Sequence, residues 1–88
     1  METAAETHKF EIFIIYNGVT KSLAVEPHQQ VQAVLQHAIH LFGITQNQHL
    51  LSLFKHDGTA VPENQSVHDA GIKRGEHLAL RPNVVKGG

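Results

Sequence analysis

The chain has no cysteine among its 88 residues, and that absence removes several chemistries at once. Disulfides, thiolate metal ligands and a thiol nucleophile are all excluded. A cysteine-free chain fits a cytoplasmic protein. Charge is also sparse, at 17% of residues with a formal net charge of -1. There is therefore no basic footprint for nucleic acid or for an anionic membrane. No apolar run approaches the length of a membrane span, and the first residues lack the apolar core of a secretory signal. Repeats, internal linkers, phosphate-cradling glycine loops and nucleophile elbows are missing as well. No active site and no cofactor are expected.

What remains is enough for one small domain with a single core. Residues 1–8 are small and polar and are expected to be a disordered lead-in, residues 9–82 the folded domain, and residues 83–88 a flexible tail. Phe10–Tyr16 is rich in β-branched and aromatic residues and reads as a strand. Asn17-Gly18 follows, a pair suited to a two-residue hairpin because both turn positions need φ > 0. Val19–Val25 is then the returning strand. With that turn, Phe10, Ile12, Ile14 and Tyr16 face Val25, Leu23, Lys21 and Val19, and this is the expected core face. Lys21 breaks the pattern near the tip, where its ammonium can reach water. The other face carries Phe13 and Ile15, so the first strand is apolar on both sides. A central strand, or an outer face that meets a partner, explains that.

Residues 31–42 have helical periodicity. At about 100° per residue, Val31, Val34, Leu35, Ala38, Ile39, Leu41 and Phe42 fall on one arc, with Gln32, Gln36, His37 and His40 opposite. Gly43 is placed to close the helix in the left-handed conformation. Residues 50–55 read as a third strand, ending in the tight turn His56-Asp57-Gly58. Residues 59–61 read as a short strand stopped by Pro62. Residues 66–72 read as one helical turn, with Ser66 as its cap and Gly71 as its exit. His77 to Arg81 is the last strand, with Leu78 and Leu80 inward. One helix against one face of a mixed sheet is the economical packing, an α+β architecture in which the last strand can pair in parallel with the first.

The chain closes on Pro82-Asn83-Val84-Val85-Lys86-Gly87-Gly88. Proline cannot donate to a sheet ladder, so the strand is expected to end there and release an extended tail. Glycine has no Cβ, so the Gly88 carbonyl is open to close approach. Eight histidines form the other compositional excess, and they predict a large rise in net charge between pH 7 and pH 5. His37 and His40 have a spacing that could share a metal ion, but no carboxylate or cysteine lies near them in sequence, and a solvated helix face accounts for them. No metal site is expected. His56-Asp57 and His68-Asp69 are explained by turn and capping roles.

The order of elements, Val25-Glu26-Pro27 ahead of the helix, the stretch from Phe54 to Val61, Ser66-Val67-x-Asp69-x-x-Ile72, and the closing Gly87-Gly88 together resemble ubiquitin and its β-grasp relatives over residues 9–88. The resemblance implies sheet order 2-1-5-3-4 with the helix in the concave face. The segments His-Asp-Gly-Thr-Ala-Val-Pro and Asp-Ala-Gly-Ile look more like bacterial ubiquitin-like proteins, some of which are encoded beside activating, conjugating and deconjugating enzymes in systems linked to phage defence. It further implies a protein modifier. An activating enzyme adenylates the Gly88 carboxylate with ATP, the acyl group passes to an enzyme cysteine, and then to an amine on a target protein. Gly87 and Gly88 would be the conjugation site, and Asn83, Val84, Val85 and Lys86 the tail that the activating enzyme recognises. With Gly88 as the encoded end, no processing step is expected. The implied partners are activating and conjugating enzymes, a deconjugating protease and target proteins, with the free chain a monomer. Five lysines, among them Lys9 and Lys73, could accept further copies.

The sequence departs from ubiquitin where that protein carries its apolar recognition patch. Lys55 and Arg81 stand at the aligned positions, and the Asn17-Gly18 hairpin is too short to supply a third apolar residue. In their place, Phe13, Ile15, Leu51, Leu53 and Ala79 are expected to point outward and form a different apolar partner surface framed by Lys55 and Arg81. Two other functions use the same features. A sulfur carrier would convert the Gly88 carboxylate into a thiocarboxylate, and a non-conjugating interaction module would work through the sheet face alone.

Overall fold

The computed structural model describes residues 9–84. Residues 1–8 and residues 85–88 lie outside the described residues, so the disordered lead-in and most of the tail are not addressed. The elements are β1 (Phe10–Tyr16), β2 (Val19–Val25), α1 (Val31–Leu41), β3 (Leu51–Phe54) and β4 (His77–Pro82), with a 3-10 turn at Gln48–Leu50. The sheet runs β2-β1-β4-β3, with β1 and β4 parallel at its centre.

The Asn17-Gly18 turn sets the first register. Asn17 and Gly18 have φ of 52° and 78°, and β1 pairs with β2 as Phe10↔Val25, Ile12↔Leu23, Ile14↔Lys21 and Tyr16↔Val19. Ile12, Ile14 and Val25 are buried, while Phe10, Tyr16 and Leu23 pack partly against the core. Lys21 reaches over the end of α1, where its ammonium donates to the Leu41 carbonyl at 3.3 Å and lies 5.3 Å from the Phe42 ring centre.

The α1 helix buries Val31, Val34, Leu35, Ala38 and Ile39. No side chain caps its first turn. Instead the Val31 N–H donates to Gln65 O at 2.8 Å and the Gln32 N–H to Glu63 O at 3.2 Å, so the segment after Val61 satisfies donors that an α-helix cannot satisfy itself. At the other end Ile44 N–H donates to Ile39 O and Gly43 N–H to His40 O, with Gly43 at φ +65°. This is the paired closing bond of a Schellman motif, and it ends the helix where the sequence places Gly43. The turn at residues 66–72 forms as expected: Ser66 Oγ accepts from the Asp69 N–H at 3.0 Å, and Val67 and Ile72 enter the core.

Two strand expectations change. Residues 59–61 do not make a full strand. Ala60 forms a single bridge to Phe54, and Val61 N–H donates to Leu53 O at 2.8 Å. Three residues between Gly58 and Pro62 are too few to sustain a ladder, so the expected order 2-1-5-3-4 is seen without its outermost strand. Nor does the last strand stop at Arg81: Pro82 is its final residue, paired with Leu51, and the Asn83 N–H beyond it still donates to Leu50 O at 2.7 Å. Alternate positions of an antiparallel ladder turn their N–H away from the partner, and Pro82 occupies one of these. The missing donor points to a side where β1 has already ended.

Candidate docking face

The sheet has one face under α1 and one facing out. Register decides which residues share the outer face. In β1 and β4 the pairs are Phe13↔His77 and Ile15↔Ala79, and in β3 and β4 they are Phe54↔Ala79 and Ser52↔Arg81. The outer face therefore carries Phe13, Ile15, Phe54, His77, Ala79 and Arg81. Phe13, Ile15 and Ala79 are half-buried, His77 and Arg81 are exposed, and Phe54 is buried.

Leu51 and Leu53 do not belong to this face, which corrects the sequence reading. Both are buried, and Leu53 pairs with Leu80 in the core. The expectation puts 51, 53 and 55 outward, but the outward positions of β3 are 52 and 54. A one-residue shift exchanges the two faces of a strand. Lys55 is corrected with them. It is half-buried, and its Nζ lies 3.3 Å from where a Cβ on Gly71 would stand, beside the 66–72 turn. The missed residue is Phe54. Its signal was a strand apolar at 51, 53 and 54, which leaves one apolar residue on the face opposite the leucines.

Two contacts organise the face. The His77 ring stacks on Phe13 with centres 4.8 Å apart and planes at 21°. The Arg81 guanidinium lies 4.3 Å from the centre of the Phe54 ring. Stacking lets Arg cover an aromatic surface while keeping its donors available in water. The face is thus an apolar strip with a cation at one end and a titratable ring at the other. That composition suits protein recognition, in which aromatic and arginine residues supply most of the energy.

Next to it, the buried hydroxyl of Ser52 lies 3.2 Å from Glu63 Oε2 and accepts from Asn83 Nδ2 at 3.3 Å. Asn83, from the tail, is therefore held at both backbone and side chain, and Val84 beyond it is exposed. Val85, Lys86, Gly87 and Gly88 fall outside the described residues. His37 and His40 are exposed on α1, and no set of three metal-ligating side chains occurs among the described residues. Among those residues, too, no helix is long and apolar enough to cross a membrane.

No protein-family model and no curated protein matches the chain. Solved structures do, in 527 chains, which is too broad a company to choose a function. A protein designed de novo on the basis of ubiquitin aligns with TM-score 0.74 at 18% identity, covering 85% of this chain and 89% of its own. The ubiquitin-like domain of an Arabidopsis thaliana protein aligns with TM-score 0.72 at 13% identity, covering 93% and 85%. ATBAG1, in a crystal structure of its complex with HSP70, aligns with TM-score 0.73 at 14% identity over 89% of this chain and 42% of that one. At such identities the likeness is one of fold, and it agrees with the strand order and helix placement above: the chain has the ubiquitin-like β-grasp fold.

Proposed function

We propose that this chain is a protein modifier, joined to target amines through the Gly88 carboxyl and recognised through the outer face of its sheet. The observation that carries the reading is the way the fold leads to its tail. β4 is an inner strand bonded on both sides, and its last anchored residue is Asn83. Five further residues end on Gly87-Gly88 and can span at most roughly 17 Å, enough to bring an unhindered carboxyl into a partner's site while the body docks outside.

The chemistry belongs to the partners. The carboxylate attacks the α-phosphorus of ATP, giving an acyl adenylate and releasing pyrophosphate. A cysteine thiolate of the activating enzyme displaces AMP to form a thioester. After transfer to a conjugating enzyme, the amine of a target lysine attacks, forming an amide and freeing the thiol. A bacterial conjugation system with its own deconjugating protease fits this role, and an ATP-dependent cycle places it in the cytoplasm.

Mass spectrometry of the cells that make the protein tests this directly. Trypsin cuts after Lys86, so a conjugate leaves Gly87-Gly88 as a two-residue branch on a target lysine. Such branches, absent from cells carrying a chain without Gly88, are the expected result. A terminal thiocarboxylate on the free chain would make it a sulfur carrier. An unmodified carboxyl, with activity surviving loss of Gly87 and Gly88, would leave a non-conjugating interaction module.

A further inference from the structure

Ser52 is the one polar residue buried among the described residues, at 2% exposure. It sits on the outer side of β3, opposite Arg81, where a β-branched aliphatic residue suits a strand better. A buried hydroxyl is unfavourable unless it is hydrogen-bonded, so the bonds that Ser52 makes account for a serine there. Its O–H donates to Glu63 Oε2 at 3.2 Å, and its oxygen accepts from Asn83 Nδ2 at 3.3 Å. One hydroxyl thus joins three segments that lie far apart in sequence: β3, the connection after Val61 and the root of the tail.

Both partners of Ser52 are held in place by their own backbones. The Glu63 carbonyl accepts from the Gln32 N–H at the first turn of α1, and the nearby Val61 N–H donates to Leu53 O. The Asn83 N–H donates to Leu50 O at 2.7 Å. Asn83 therefore meets β3 twice, through its backbone and through its side chain, whereas Pro82 before it has no N–H to give. Side chains two apart share one face of a strand, so Asn83 follows Arg81 at the edge of the outer face. The carboxylate takes the only hydroxyl proton of Ser52, which leaves the oxygen lone pairs for the Asn83 amide.

We propose that Ser52 and Glu63 are positioning residues that latch Asn83 to the edge of the outer face, and so fix where the tail leaves the body and how far it reaches. The use of the latch rests on the modifier reading, but its existence does not. Latched, the tail has five residues beyond Asn83. Released, it gains Pro82 and Asn83, and its maximum span rises from roughly 17 Å to roughly 24 Å while its direction is lost. A partner docked over Phe54 and Arg81 meets the latched tail at a fixed place, which raises the effective concentration of Gly88 at the partner's site.

Trypsin, standing in for a partner that grips the tail, tests the latch on the full-length protein. Cleavage after Lys86 needs the residues before it extended in the protease cleft, so a tail rooted at Asn83 is a poorer substrate than one rooted at Arg81. Ser52→Ala and Glu63→Ala should raise kcat/KM for that cut roughly threefold to tenfold. Glu63→Ala keeps the backbone carbonyl that α1 uses. Amide exchange at Asn83 should quicken about tenfold in both variants, while Ala79, deeper in the same ladder, keeps its rate. Glu63→Gln should behave as the wild type, because its amide oxygen still accepts the hydroxyl proton. Cleavage after Arg74 is the control and should not change. An unchanged rate after Lys86 in Ser52→Ala would overturn the inference. So would an equal rise after Arg74, which means general loosening, or Glu63→Gln matching Glu63→Ala. None of these outcomes involves conjugation, so a lack of Gly-Gly branches on target lysines would sink the modifier reading and leave the latch standing.

Discussion

Leu53 and Ile15 are both aliphatic strand residues, and both were expected on the outer face. The structure separates them by environment: Leu53 is buried in the core, whereas Ile15 stays half-exposed beside Ala79. Leu53→Ala should therefore cost about 3 kcal/mol through lost burial and the cavity left behind, and Ile15→Ala less than about 1 kcal/mol. Urea unfolding of the two variants checks the register directly. Asp57 is a residue-scale case with a sign. The Thr59 N–H donates to its Oδ1 at 2.9 Å, and this bond, reinforced by the Thr59 hydroxyl, holds the carboxyl below its ordinary range. A lowered pKa means the ionised form is favoured by folding, so the contribution is present above the unfolded value of about 4 and is lost as pH falls through the lowered one. Asp57→Ala should lower stability at pH 7 and flatten that part of its acid dependence, as pH-resolved urea titrations would show.

At the scale of elements, α1 owes its two ends to different causes. Its C-terminus is written locally: Gly43 adopts φ +65°, and a Cβ there would touch nothing within 4 Å. Gly43→Ala should thus cost roughly 1 kcal/mol from backbone conformation alone, measurable as a drop in melting temperature without loss of helix in circular dichroism. Its N-terminus is tertiary, since Gln65 and Glu63 supply the acceptors from more than 30 positions along the chain. No cap residue in the sequence could have announced that. The strands divide in the same way. Asn17-Gly18 and the alternation around it make β1 and β2 readable to the residue. β3 has only four residues, Leu-Ser-Leu-Phe, all buried, and Phe54 puts an apolar residue on the face opposite the leucines, so alternation marks its two faces weakly. Its register comes from β4, through Leu53↔Leu80.

Taken whole, the molecule joins its outer face, with Phe13, Phe54 and Arg81, to the root of its tail at Asn83. If that face serves docking, Arg81→Ala should weaken capture of the partner enzymes while leaving the melting temperature unchanged, because Arg81 is exposed and covers Phe54 from outside. Conjugate yield against purified partners measures this, with the chain lacking Gly87 and Gly88 as the zero. The eight histidines also act on the molecule as a whole. With a formal charge of -1 at pH 7 and an isoelectric point near 6.7, it should become strongly cationic by pH 5, a reversal that electrophoretic mobility would register.

By itself the sequence determined what depends on neighbours along the chain. That includes the hairpin at Asn17-Gly18, the apolar arc and glycine stop of α1, the capped turn at Ser66 and the inward Leu78 and Leu80. In their order these were sufficient for the ubiquitin-like β-grasp fold. The tertiary structure decided whatever depends on residues far apart in sequence. It turned Leu51 and Leu53 inward and brought Phe54 under Arg81. It carried the ladder past Pro82 to Asn83 and bonded Ser52 to Glu63 and Asn83. The physical reason is that hydrogen bonds between strands and packing across the sheet fix register and facing, and a four-residue strand such as Leu51–Phe54, apolar at one position of its second face as well, is too short for its local pattern to mark which side meets the core.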